Sequence, residues 1–207
     1  GAKSVAAISS SVLLQGDSLL ESAQRAFASG YRVAKMKAHI DPQRTLLEIR
    51  SIRSALPNLG LRLDVNEAWS RETAVSFCRE LPRNFLQWIE QPVSRADLAG
   101  MRAVRETGVS VAADESVRDV SDVTRLAVER AADVIVIKLM QVGGLAAAVR
   151  VAAEAAVHDL RVCLTTGLDS SIATAAVLHL SGALRPQTAS GFATLSLLQG
   201  DLVSESL

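Results

Sequence analysis

Short runs of aliphatic and β-branched residues alternate along the chain with longer stretches of helical spacing, and the alternation continues from end to end. Strands are predicted over residues 5–14, 32–38, 61–66, 86–90, 110–114, 134–139, 161–165 and 191–198. Helices are predicted between them. Ser18 and Asp41 are N-cap candidates, the second with Pro42 at the first helical position, and Ser70 opens the helix after Trp69. Gly30, Gly60 and Gly108 fall where helices should stop. Runs such as VIVIKLM are too continuously apolar for a sheet with one wet face, so helices should cover the strands outside and side chains should fill the space inside.

Eight strands with seven intervening helices describe an α/β fold. No Gly-x-Gly-x-x-Gly turn follows the first strand, which favours a closed parallel barrel over an open doubly wound sheet. The expected architecture is (β/α)7β, a modified TIM-type barrel. With no low-complexity linker in the chain, residues 1–207 are expected to form a single domain.

Ionisable residues recur at the polar ends of these runs. Asp64, Glu90, Asp114 and Lys138 follow one another at steps of 26, 24 and 24 residues, each about one strand, one helix and two loops. Residues two apart in a strand share a face, so Lys35 pairs with Lys37 and Asp64 with Asn66. Barrel enzymes build their sites at the C-terminal ends of the strands, where all of these lie. Positions 2 and 6 of an eight-membered ring are opposed, so the lysine pair should face Lys138 across the mouth with three carboxylates on the arc between.

Three close, ionised carboxylates need a cation to offset their repulsion. An all-oxygen set suits Mg²⁺, with Mn²⁺ as a substitute, and the lack of His and Cys argues against zinc. Opposed lysines beside such an ion suggest proton abstraction next to a substrate carboxylate, the ion stabilising the enediolate. Lys37 is the expected base, its neutral form favoured by Lys35 and the cation, and Lys138 the partner acid or stabilising cation.

The 22 basic and 22 acidic residues cancel, and no long run of either sign suggests nucleic acid or an anionic membrane as partner. A small-molecule carboxylate is expected instead. Whether a second copy of the chain or a separate capping domain joins it stays open. Cys78 and Cys163 read as free thiols of a reducing cytoplasm. The start lacks a signal-peptide core, and residues 145–157 are interrupted by Arg150 and Glu154 and too short for a bilayer span. His39, His158 and His179 are expected outside the chemistry, Gly143-Gly144 in a tight turn, and Trp69 and Trp88 in the layer between helices and barrel.

With these motifs in place, the chain resembles the enolase superfamily in its muconate-lactonising branch. Lys35-Met36-Lys37 is similar to that family's Lys-x-Lys, Asp64-Val65-Asn66 to its Asp-x-Asn, and Glu90-Gln91-Pro92, Asp114-Glu115-Ser116 and Lys138 to its later site residues. The resemblance implies Asp64, Glu90 and Asp114 as Mg²⁺ ligands, Lys37 and Lys138 as the acid–base pair, and Asn66 and Glu115 as supports behind them. The tail, GLDSSIATAAVLHLSGAL and then GFATLSLLQGDLV, is similar to o-succinylbenzoate synthases, which implies a lyase dehydrating its substrate in menaquinone biosynthesis. Muconate cycloisomerases and epimerases or racemases of dipeptides and N-acylamino acids share the constellation and stay open, as does a non-catalytic binding barrel. Family members carry an N-terminal capping domain, whereas this chain begins at about the first strand. Thr165, Asp169 and Ser170, at the exit of the seventh strand, are candidates for holding a second substrate carboxylate at a helix N-terminus.

Overall fold

The computed structural model describes residues 9–204. Strand and helix alternate throughout: β1 (Ser10–Leu13), α1 (Leu19–Ala28), β2 (Val33–Lys37), α2 (Pro42–Ala55), β3 (Gly60–Asp64), α3 (Arg71–Glu80), β4 (Trp88–Glu90), α4 (Leu98–Arg105), β5 (Val111–Ala113) and α5 (Val120–Val128). There follow β6 (Val134–Ile137), α6 (Leu139–Val142), α7 (Leu145–Val157), β7 (Arg161–Leu164), α8 (Ser171–Leu184) and β8 (Ser190–Gly191). All strand pairings are parallel, in the order β7-β6-β5-β4-β3-β2-β1-β8. A bridge between Thr165 and Gly191 joins the two ends, so the strands form a nearly closed α/β barrel of the TIM type.

Side chains that point outward, among them Met36, Leu61, Leu63, Ile89, Ile135 and Ile137, are buried beneath the helices in one large apolar cluster. Each such side chain contributes about 1.5–3 kcal/mol relative to exposure. The alternate positions point inward, where Trp88, Ala112, Val134, Val136 and Cys163 form a smaller cluster separate from the first. Trp88 therefore belongs inside the ring and not in the helix layer, where only Trp69 lies. It shares its face of β4 with Glu90, two residues on, and strand periodicity requires both to point the same way.

Arg62 stacks on Trp88, its guanidinium carbon 3.8 Å from the ring centroid. Its Nε donates to Gln87 Oε1 at 2.9 Å and its Nη1 to the Ala189 carbonyl at 2.8 Å. One buried side chain thereby ties β3 to the segment that enters β8. Burial pulls this guanidinium below its ordinary value, with Cys163 and Glu90 opposing the shift.

The helix starts follow the sequence. Ser18, Asp41 and Ser70 accept from Glu21, Gln43 and Thr73 N–H groups, each cap worth about 1 kcal/mol. Gly30 and Gly108 take positive φ just past α1 and α4. Gly60 does not stop a helix: α2 ends at Ala55, and Gly60 opens β3 because a Cβ there would lie 2.5 Å from Gln87 Nε2. Of the first predicted strand, residues 5–8 lie outside the described residues, and pairing covers Ser10–Leu13. The eighth is shorter and earlier than predicted. Only Ser190 and Gly191 pair, and Leu195–Leu197 form a 3-10 turn. Closure brings the two chains so near that a Cβ on Gly191 would meet Thr165 Oγ1 at 2.5 Å, after which the chain turns toward the mouth. Between β6 and β7 the chain adds the short α6 ahead of α7, with Gly143 and Gly144 at positive φ joining them. Both cysteines are free and buried, and burial pushes the Cys78 thiol up to about 12. Among the described residues no helix is long and apolar enough to cross a membrane.

Arg62→Met keeps an apolar body beside Trp88 but leaves the Ala189 carbonyl and Gln87 without their donor. The expected loss is about 2–4 kcal/mol, since a buried group stripped of its partner bears its desolvation cost. Urea unfolding checks it, and an unchanged midpoint would remove Arg62 from the closure of the ring.

Candidate active site

Lys37, Asp64 and Glu90 are direct register partners across β2, β3 and β4. Further round, Glu90 pairs with Ala112, and Asp114 stands two residues higher on its strand, one past the end of β5. Lys138 lies one past β6. This climb is the stagger that tilted barrel strands impose, so residues at equal height step upward in register. The near-constant spacing of 24–26 residues in the sequence already contains it.

Asp64, Glu90 and Asp114 are almost fully buried, at 2%, 2% and 0% exposure. Each is met by a lysine. Lys35 Nζ bridges Glu90 Oε1 at 2.7 Å and Asp64 Oδ2 at 2.8 Å, Lys37 Nζ lies 2.7 Å from Asp64 Oδ2, and Lys138 bonds Asp114 Oδ2. The charge that offsets the carboxylates is thus supplied by three ammoniums. Among the described residues no group of three His, Cys, Asp or Glu side chains is gathered closely enough to hold a metal ion as placed.

The electrostatics follow from burial and these pairs. Burial pushes the Glu90 carboxyl up, reinforced by Asp64 and Asp114 and opposed by Lys35. At Asp64 burial acts in the same sense, but Lys35 and Lys37 outweigh it and hold the group below the usual carboxylate range. Burial alone would lower Lys35, yet Glu90 and Asp64 hold its ammonium above the ordinary lysine value. Lys35 is therefore a firmly charged group whose field is taken up by two carboxylates, and not the bare like charge beside Lys37 that the sequence suggests.

Lys37 is the accessible lysine, with its side chain 52% exposed. It also bonds Asn66 Oδ1, and Asn66 Nδ2 donates to Glu115 Oε1 at 2.9 Å, so the two predicted supports form one chain behind Lys37. Asn66, two residues past β3, and Gln91, one past β4, sit at positive φ of 47° and 38°. Such left-handed backbone costs about 1–2 kcal/mol per non-glycine residue and is held by side-chain bonds. Asp64 Oδ1 accepts from Asn66 N–H at 3.1 Å. The buried Gln91 carboxamide accepts from the Asp114 and Ser116 N–H groups, both at 3.2 Å, and from the Ser116 hydroxyl at 3.0 Å.

Gln91 and Arg62 are the residues that sequence reasoning passed over. Gln91 stood inside a quoted motif, and Arg62 shares a face with Asp64 two residues away, a periodicity that was available to find it.

A cavity of about 380 Å³ opens at this end of the barrel. Lys35, Lys37, Arg62, Asp64, Glu90 and Lys138 line one part of it, and Val12, Leu13, Val136, Leu168 and Leu197 the other. Asp114 lies beneath, outside the lining, and its Oδ1 is buried with no hydrogen-bond partner.

The exit of β7 departs from expectation. Thr165 lines the cavity, but its hydroxyl donates to the Gly191 and Thr166 carbonyls, both at 3.1 Å. Asp169 and Ser170 are not in the lining. Asp169 turns back to cap Gly167 N–H at 2.8 Å, and Ser170 makes no side-chain cap bond. The start of α8 that was expected to take a substrate carboxylate is met by the chain's own Asp201, which accepts from Ser171 N–H at 3.1 and 3.3 Å. His39 bonds Glu48 at 2.8 Å, and His158 bonds Glu154, so neither enters the cavity.

Lys-x-Lys on β2, carboxylates at the ends of β3, β4 and β5, and Lys138 after β6 thus meet at one end of a parallel barrel. The chain belongs to the enolase superfamily: residues 18–205 match the Enolase C-terminal domain-like family. It is 38% identical over 194 residues to an o-succinylbenzoate synthase of Thermobifida fusca, covering 90% of this chain and 59% of that protein. A muconate cycloisomerase structure from Pseudomonas fluorescens superposes with a TM-score of 0.86 at 32% identity, covering 96% of this chain and 57% of that one. A dipeptide epimerase from Enterococcus faecalis, solved with Mg and the dipeptide L-Leu-L-Tyr, gives a TM-score of 0.89 at 26% identity, covering 96% and 58%. The chain thus spans less than two thirds of each of these relatives. Lyase, isomerase and epimerase all occur among them.

Removing the Lys35 ammonium leaves Glu90 buried without its cation, and Lys35→Met is expected to destabilise by about 3 kcal/mol at pH 8. A carboxyl whose folded pKa lies above its unfolded value binds its proton more tightly when folded, so stability falls as pH rises through that interval. The variant should therefore recover part of the loss at pH 5. Urea midpoints at the two pH values test this, and a variant equally impaired at both would contradict the pairing.

Proposed function

We propose that this barrel removes a proton α to a substrate carboxylate, with Lys37 as base and Lys138 opposite, and that the reaction is the dehydration to o-succinylbenzoate. The supporting observation is that Lys37, on β2, and Lys138, after β6, line one cavity from opposed positions of the ring, with Asp64 and Glu90 between.

The residues fit a Mg²⁺ ion by their chemistry. Asp64, Glu90 and Asp114 offer a hard all-oxygen donor set, and the buried Asp114 Oδ1 has no other partner. A bound ion would supply positive charge to the substrate carboxylate as the α-proton leaves. As the neutral amine, Lys37 receives that proton at Nζ, and Asp64 and Asn66 orient the ammonium that results. From the far side Lys138 sets a second positive charge against the carbon skeleton, while in a syn dehydration the hydroxyl leaves on the Lys37 face and takes the proton that Lys37 has received. Leu13, Val136 and Leu197 give the cavity an apolar side. The 38% identity to the Thermobifida fusca synthase favours dehydration. Epimerisation uses the same opposed lysines and is the second reading, supported by the likeness to the dipeptide epimerase.

Offered the hydroxycyclohexadiene carboxylate in D₂O, the protein should form o-succinylbenzoate, followed by its ultraviolet absorbance. Racemisation of a dipeptide with deuterium uptake and no dehydration would transfer the assignment to the epimerases. Lys37→Ala should lower turnover by about 10²–10⁴ while calorimetric Mg²⁺ affinity stays unchanged. Undiminished α-proton exchange in that variant would exclude Lys37 as base.

A further inference from the structure

After Gly191 the chain makes no further strand pairing among the described residues, yet Ala193, Thr194 and Leu197 line the mouth cavity. This segment is a strap across the β8 side of the mouth, with one short turn, Leu195–Leu197, inside it. Phe192 packs against the apolar core, and polar contacts hold the segment near its start and at its end. Near its start the Thr194 hydroxyl meets that of Thr166 at 2.7 Å. At its end Asp201 reaches the first turn of α8, where Ser171 donates to it from both its backbone N–H and its hydroxyl.

The second contact is well supplied energetically. Ser170, the N-cap residue of α8, provides no side-chain acceptor, so the orphan N–H of the first turn is met from 30 residues downstream. A carboxylate is also the group that a helix N-terminus favours electrostatically. One contact therefore serves both partners: the helix gains a cap and the strap gains an anchor.

We propose that Asp201 is a positioning residue, a latch that holds residues 192–201 against the mouth and so places the Thr194 and Leu197 wall of the cavity. Without it, residues 195–201, beyond the anchors at Phe192 and Thr194, have many more conformations, and those that leave the mouth withdraw the Leu197 wall. The lysines and carboxylates, carried by β2 to β6, are untouched by that change. Opening the latch should weaken ligand contact and leave the chemical groups in place.

Hydrogen exchange on Asp201→Ala tests this without reference to which reaction the site performs. Amides of Thr194, Leu197 and Leu198 should exchange at least about tenfold faster, while those of β2 to β6 keep their protection. If acceleration is confined to the first turn of α8, Asp201 is a helix cap alone and the proposal falls. Should that variant fail to fold, Ser171→Ala removes only the hydroxyl donor and is read the same way. In turnover, which rests on the proton-abstraction reading, Asp201→Ala should raise KM about tenfold with kcat within about twofold. A fall in kcat at unchanged KM would overturn the positioning role, whereas absence of turnover in the unsubstituted protein would count against the proposed function and leave the exchange result standing.

Discussion

Three carboxylates buried at the ends of adjacent strands are the costliest feature of this barrel, and their pairing with three lysines makes the rest of the site affordable. An unpaired charge at such depth would neutralise itself or unfold its surroundings. Lys35 answers two carboxylates at once, Lys37 shares one of them, and Lys138 takes the third. The groups suited to proton chemistry are thus the same groups that let the carboxylates be buried. Their positions on β2 and after β6 put the balancing charges on both sides of the mouth.

The pairing is held by less conspicuous residues. Gln91 occupies strained backbone directly after Glu90, and its carboxamide fastens the loop that carries Asp114, so that two carboxylates are placed by one buried side chain. Arg62 does the corresponding work one layer down. Stacked on Trp88 and bonded to the Ala189 carbonyl, it fixes the inner face of β3 against the segment that closes the ring. Both are polar groups in the interior whose hydrogen bonds are met, the condition under which a buried polar network lends rigidity.

Relatives of this chain include an o-succinylbenzoate synthase, an L-amino acid-D/L-Glu epimerase and a chloromuconate cycloisomerase. What separates such reactions is how the remainder of the substrate is held. In this barrel the mouth cavity is walled by the apolar ends of β1 and β6 and by the segments after β7 and β8.

Strand periodicity and the repeat length carried much of the answer in the sequence. Lys35 with Lys37, Asp64 with Asn66, and the 24–26-residue steps to Glu90, Asp114 and Lys138 placed these side chains at one end of a parallel ring, because a residue's face depends on parity and its height on the repeat. The helix starts at Ser18, Asp41 and Ser70 were equally local. Contacts between distant segments were not local. That Trp88 points into the ring, that Gly191 ends the last strand against Thr165, that lysines supply the charge facing the carboxylates, and that Asp201 meets the α8 N-terminus ahead of any substrate all depend on residues tens of positions apart. No local pattern encodes such meetings. They are decided when the ring closes and each buried polar group takes the nearest partner that satisfies it.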